Sequence, residues 1–95
     1  MQKRKNLFCF FFFVKIKENS FNFSRFAFVV PKKVEKKAVE RNRTKRMMRE
    51  IFKEFSVCFN RSVDLIFITQ KKINKEDREK AKKEVERILK KAKLI

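Results

Sequence analysis

Between Lys32 and Arg49 the chain places nine Lys or Arg residues against two Glu. Lys32, Lys33, Arg41, Arg43, Lys45, Arg46 and Arg49 can each neutralise a phosphate, and the planar fork of an Arg can donate two hydrogen bonds to one phosphate. Asn42 adds an amide that can bond a nucleic-acid edge or tie local backbone. Such a set holds a polyanion in one orientation rather than breaking bonds. The chain has no His, which removes the usual neutral-pH proton shuttle and the commonest metal ligand. It has no Gly, which excludes glycine-rich phosphate loops and passes any turn needing positive φ to residues such as Asn19, Asn22, Asn60 or Asn74. Glu50, Glu54 and Asp64 do not read as a carboxylate cluster for a divalent cation. No catalytic residue and no metal site is therefore expected.

Ninety-five residues, 43% of them hydrophobic, allow one domain over 1–95, with 1–6 as a basic N-terminal stub. A formal net charge of +17 is too large to neutralise internally and implies a polyanionic partner. Nucleic acid is the first inference for a folded basic chain, while anionic lipid and acidic protein stay open on charge alone. The basic start and the apolar run Leu7 to Val14 imitate a signal peptide. That run has eight residues, Lys15 and Lys17 follow at once, and no small-residue cleavage site appears. It is too short to span a bilayer, so no membrane partner and a cytoplasmic location are expected. Cys9 and Cys58 form no CxxC pair and read as free thiols filling a core in a reducing compartment.

The elements that must position the basic residues follow from periodicity. Phe8 to Ile16 reads as a strand with Phe8, Phe10, Phe12, Val14 and Ile16 toward the core and Cys9, Phe11, Phe13, Lys15 and Lys17 on the other face. A second strand runs from Phe21 to Val30 and stops at Pro31. Roughly Glu35 to Phe55 is a helix. At about 100° per residue, Met47, Met48, Ile51, Phe52 and Phe55 share one flank, and Asn42, Lys45, Arg46, Arg49 and Lys53 lie directly beside it, with Arg41 on the seam. Val63 to Thr69 is a third strand. Asn74 offers a cap for a last helix carrying Ala81, Val85, Ile88, Leu89 and Ala92 at helical spacing. The order β-β-α-β-α is an α+β two-layer sandwich with helices on one face of a small sheet. Lys32 and Lys33 stand near a helix N-terminus, where a cation opposes the dipole and a partner phosphate would compensate.

An ordered series resembles the protein subunit of bacterial ribonuclease P. It comprises Arg25, Lys32-Lys33, Ala38-Val39, Arg41-Asn42-Arg43, Lys45-Arg46, Arg49-Glu50, Asp64 opening an apolar strand, and a Leu89-Lys90-Lys91-Ala92 tail. The likeness covers about residues 8 to 95. It implies a fold similar to the second domain of ribosomal protein S5, in which the signature helix joins two parallel strands by a left-handed crossover. It also implies a function: a protein that binds a large catalytic RNA and the single-stranded 5′ leader of precursor tRNA, supporting endonucleolytic removal of that leader. The active site and its Mg²⁺ would belong to the RNA, with one protein monomer per RNA.

On that resemblance Lys32, Lys33, Arg41, Asn42, Arg43, Lys45, Arg46 and Arg49 would dock the RNA. Phe11 and Phe13 would stack leader bases, with Lys15 and Arg25 on the phosphates. The helix that usually precedes the first strand of the family looks missing, and Gln70 stands where a basic residue is common. The rival reading of the charge is another small basic RNA-binding module, such as a ribosomal protein.

Overall fold

The apolar run that reads as one strand is folded back on itself. In the computed structural model, which describes residues 4–56 and 59–95, β1 (Arg4–Phe8) pairs antiparallel with β2 (Phe12–Glu18), Leu7 opposite Val14 and Phe8 opposite Phe13. The Cys9 N–H donates to Phe12 O at 2.9 Å to close the turn. Two long-range bonds pin it: Phe11 N–H donates to the Glu84 carboxylate at 3.0 Å, and Gln70 N–H donates to Phe11 O at 2.7 Å. Residues 4–6, expected in the basic stub, thus belong with 7 and 8 to an edge strand, and the sheet has four strands instead of three. Nothing in an unbroken Leu-Phe-Cys-Phe run marks a turn, so only the pairing partners could decide where it reverses.

That reversal corrects the expected faces. Phe12, Val14 and Ile16 are buried as expected, but Phe8 and Phe10 lie 69% and 60% exposed. Phe11, expected on the open face, is 4% exposed and packs into the core. Cys9 is half-buried against the same core, and desolvation, reinforced by Glu84, pushes its thiol up to about 12; Cys58 lies outside the described residues.

After β3 (Arg25–Val29) comes α1 (Ala38–Ser56), which starts three residues later than expected, and then β4 (Val63–Thr69). The sheet order is β1-β2-β4-β3, with β2 antiparallel and β3 parallel to β4, so α1 connects two parallel neighbours. On the helical side of the sheet Phe12, Val14, Leu65 and Phe67 meet Met47, Met48, Ile51 and Phe52 of α1, and all eight are buried. Phe52 is the hub, with ring centroids 4.6 Å from Phe26, 5.6 Å from Phe28, 5.3 Å from Phe67 and 5.8 Å from Phe59. Phe55, at the edge of the apolar flank, is half-buried.

A 3-10 turn (Lys75–Asp77) leads into α2 (Arg78–Lys91). Asn74 stands at the N-cap of that turn rather than of α2, whose N-cap is Asp77, and its backbone N–H donates to Asp77 Oδ2 at 2.9 Å. Ala81, Val85, Ile88 and Leu89 give α2 its buried flank. The helix ends in a Schellman motif, with Lys93 N–H bonding Lys90 O at 3.0 Å and Leu94 N–H bonding Leu89 O at 2.9 Å. Lys93, at φ 61°, takes the left-handed position usually given to Gly, and among the described residues no Asn does so. Burial of Leu94, the Asn60 amide on Lys93 O and the Arg61 guanidinium on Ala92 O hold it there.

At the other end of the sheet Arg25 binds Asp64 through both carboxylate oxygens, at 2.9 and 2.7 Å, and Asn19 donates to the same group at 2.9 Å. The Arg25 guanidinium, then the Asn19 amide, lowers the Asp64 carboxyl to about 2. A carboxyl held below its unfolded value of about 3.9 stabilises the fold above that pH and stops doing so as pH falls toward 2. Acid titration of stability should therefore show a loss between about pH 4 and pH 2 that Asp64→Asn diminishes; an unchanged acid profile in the variant would show that the pair contributes nothing. Phe52→Ala should cost about 3–5 kcal/mol in urea denaturation, because the hub leaves a cavity no neighbour can fill.

Candidate nucleic-acid interface

Helix α1 carries its basic residues on more than one flank, and their roles divide accordingly. Asn42, Arg46 and Arg49 are exposed and Lys45 is half-buried, all on the flank beside the buried Met48 and Phe52. None of these four makes a side-chain hydrogen bond or ion pair among the described residues. Their donors are available to a partner.

Arg41 and Arg43 are occupied. Arg41 Nη1 donates to Glu35 O at 3.1 Å and to Lys36 O at 2.8 Å, so its side chain folds back over the loop entering the helix. Arg43 points to the other flank, where Nε and Nη2 bind Glu40 Oε2 at 3.1 and 2.8 Å and Nη2 also reaches Ile73 O at 3.4 Å. Two residues apart on a helix means about 200° of rotation, so an Arg-x-Arg word cannot present both side chains to one surface. Arg43 therefore stands with the connection to α2 and not with the exposed stripe; the helical wheel holds that information, since Arg43 falls near Glu50 and Glu54.

Lys32 and Lys33 occupy an exposed turn after β3, closed by Val34 and Glu35 N–H groups donating to Pro31 O at 3.0 and 3.1 Å. Glu35 anchors that turn. Its carboxylate is 6% exposed, accepts Lys37 N–H at 3.1 Å and pairs with Lys72 at 3.1 Å. The Lys37 amide first, and the Lys72 ammonium second, lower its pKa. The two lysines are thereby held at the N-terminal end of α1, next to Arg41.

The sheet's other face carries no helix. Register sets its side chains in ranks: Phe8, Phe13, Ile68 and Val29 in one; Asn6, Lys15, Ile66 and Ala27 in the next; then Lys17, Asp64 and Arg25. The Phe8 and Phe13 rings lie 4.6 Å apart, and Lys15 Nζ is 5.8 Å from the Phe13 centroid. A depression of about 340 Å³ opens between Asn6, Lys15, Lys17, Asp64 and Ile66. Of the residues expected on this face, Phe13, Lys15 and Arg25 are here and Phe11 is not. Arg25 is tied to Asp64 and lies 4.5 Å from the Phe21 ring centroid. Phe8, expected in the core, supplies the second ring, and a hidden hairpin left no signal for it.

The family model for ribonuclease P matches residues 1–93 of the chain. The ribonuclease P protein component of Natranaerobius thermophilus is 37% identical over 78 residues, covering 82% of this chain and 67% of that protein. That of Thermotoga petrophila is 36% identical over 66 residues, covering 70% and 56%, so this chain spans little more than half the length of that relative. Among solved structures, a Staphylococcus aureus ribonuclease P protein, a mutant described as having defective mRNA degradation activity, superposes with a TM-score of 0.81 at 28% identity, covering 98% of this chain and 78% of that one. The Thermotoga maritima protein gives 0.75 at 27% identity, covering 94% and 84%. The four-stranded sheet and two helices described above are thus those of a known fold, and the chain belongs to the ribonuclease P protein family.

Proposed function

We propose that this chain is the protein subunit of a ribonuclease P holoenzyme, working in the cytoplasm as one monomer per RNA. The observation that carries this reading is the pairing of flanks on α1: an apolar flank seated on the sheet beside a cationic flank with free donors, within the ordered family series. Docking on the catalytic RNA uses Asn42, Lys45, Arg46 and Arg49 directly, with Lys32 and Lys33 on adjoining phosphates. Arg41 and Arg43 hold the backbone on either side of that surface and still have unused guanidinium donors, Arg41 Nη2 and Arg43 Nη1, to turn toward RNA.

Precursor tRNA would lay its single-stranded 5′ leader on the open sheet face. Phe8 and Phe13 offer a stacking surface, and Lys15 and Lys17 supply charge for phosphates. Arg25 would join only by leaving Asp64. Bond cleavage is assigned to the RNA and its Mg²⁺. Among the described residues no three His, Cys, Asp or Glu side chains gather as metal ligands, and seven carboxylates are each paired with a Lys or Arg. In this proposal no step runs through the protein's own side chains.

Reconstitution tests the reading. Added to the ribonuclease P RNA of its own genome at low Mg²⁺, the chain should stimulate cleavage of precursor tRNA, and no stimulation would refute the proposal. About six neutralised phosphates give a log–log salt slope of binding near −5, and Arg46→Ala with Arg49→Ala should flatten it by about 2; an unaltered slope would remove this flank from docking. Phe13→Ala should weaken binding of leader-bearing precursor by roughly tenfold, the scale of one stacked base, and leave leaderless tRNA unaffected. Equal losses on both substrates would take the leader off this face.

A further inference from the structure

The outer flank of α2 is a second cationic surface that the α1 flank does not explain. Lys80, Lys83, Arg87 and Lys91 follow one another at three or four residues, which brings them within about 80° on the helix. All four are exposed, and among the described residues none has an ion-pair or hydrogen-bond partner. Of the other charges of α2, Glu79 stands one turn before Lys83 without a paired cation among the described residues, and most of the rest are engaged. Arg78 and Lys82 reach across to Glu50 and Glu54 of α1 at 3.4 and 2.9 Å, and Lys90 pairs with Glu86 at 2.9 Å. Glu84, the carboxylate nearest the stripe, accepts the Phe11 N–H at 3.0 Å.

Position separates this stripe from the surfaces already described. The side of α2 that meets α1 carries Arg78 and Lys82, and the stripe lies on its far side. On α1, Asn42, Lys45 and Arg49 face away from Glu50 and Glu54, while Arg46 borders Glu50 at the rim of that flank. The two cationic surfaces therefore form opposite outer margins of the helical layer, and neither is on the open sheet face. Beside the stripe, the β1–β2 turn adds a broad ring. Phe10 is 60% exposed, stands edge-on to Phe11 with centroids 4.9 Å apart, and has Lys71 Nζ 4.3 Å from its centroid. A cavity of about 360 Å³ lies between Phe10, Phe11, Lys80, Lys83, Glu84 and Arg87, with the Glu84 carboxylate engaged by the Phe11 N–H. A row of unpaired cations ending at an exposed ring suits a sugar–phosphate strand with an unstacked base, and a polyanion there relieves the repulsion among the four charges.

We infer that the outer flank of α2, with Lys71 and Phe10 at the β1–β2 turn, binds a second segment of the same catalytic RNA, so that the subunit is held between two RNA segments at opposite margins. This rests on the proposed role in ribonuclease P. The test is a salt titration of binding to the ribonuclease P RNA without tRNA, comparing wild type, the Arg46→Ala/Arg49→Ala variant and K80Q/K83Q/R87Q/K91Q, with thermal melts showing that each variant folds. The substitutions lie on exposed positions, so folding should be kept. The quadruple variant should flatten the log–log slope by about 3.6, near 0.9 for each of four phosphates released, and combining both sets should flatten it by the sum. A slope that responds to the α1 pair but not to the α2 set overturns this inference and leaves the docking role of α1 standing. A defect that appears only when precursor tRNA is present overturns it as well, placing the flank on the substrate instead. Slopes unchanged in both variants would refute the α1 assignment along with this one.

Discussion

The structure depends on one helix being two materials at once. Helix α1 must bury Met47, Met48, Ile51 and Phe52 on the sheet and, a quarter-turn away, keep Arg46 and Arg49 in solvent. A chain of net charge +17 repels itself when it collapses. Folding therefore needs a concentrated apolar contact, and Phe52 provides it by touching four other rings drawn from β3, β4 and the loop before β4. Ring pairs at these distances add to plain area burial. The hub keeps the helix axis at a set height and rotation above the sheet, and that rotation determines which guanidinium groups meet a partner.

The carboxylates show how the remaining charge is organised. Glu50 and Glu54 join α1 to α2, Asp64 joins β4 to β3, Glu35 joins the turn after β3 to the segment after β4, and Glu18 reaches Arg61. Most of these pairs are exposed and contribute little stability, so orientation is their main effect; the Glu35 carboxylate is the buried exception. They neutralise cations between elements and leave the outer margins of both helices positive. On the proposed role that division has a use: repulsion left at the margins is relieved when phosphates arrive.

The same residue type performs opposite tasks in this chain. Arg25, Arg41, Arg43 and Arg61 tie carboxylates or carbonyls inside the fold, whereas Arg46 and Arg49 have no such duty. Arginines near the signature therefore differ in how many donors they have left for a partner. Arg43 is the clearest instance: it belongs to the family word and yet faces Glu40 and Ile73.

Helical periodicity made α1, α2 and their buried flanks legible from the residues alone, because a 3.6-residue repeat separates apolar from charged side chains over many turns. The position of the cationic flank beside the apolar one, the strand Val63–Thr69 and the capping at Asn74 were legible for the same local reasons. Within Leu7 to Val14 every side chain is apolar, so no alternation can tell one long strand from a hairpin, and a single-strand register puts Phe8, Phe10 and Phe11 on the wrong faces. Pairing with β4 and the bond from Phe11 to Glu84, 73 residues away, decided the turn. The partners of Arg25, Arg41 and Arg43, and the left-handed φ at Lys93, likewise depend on groups that only the fold brings near. Local periodicity is written in neighbouring residues; reversal points and the partners of a charge are settled by what the rest of the chain packs against them.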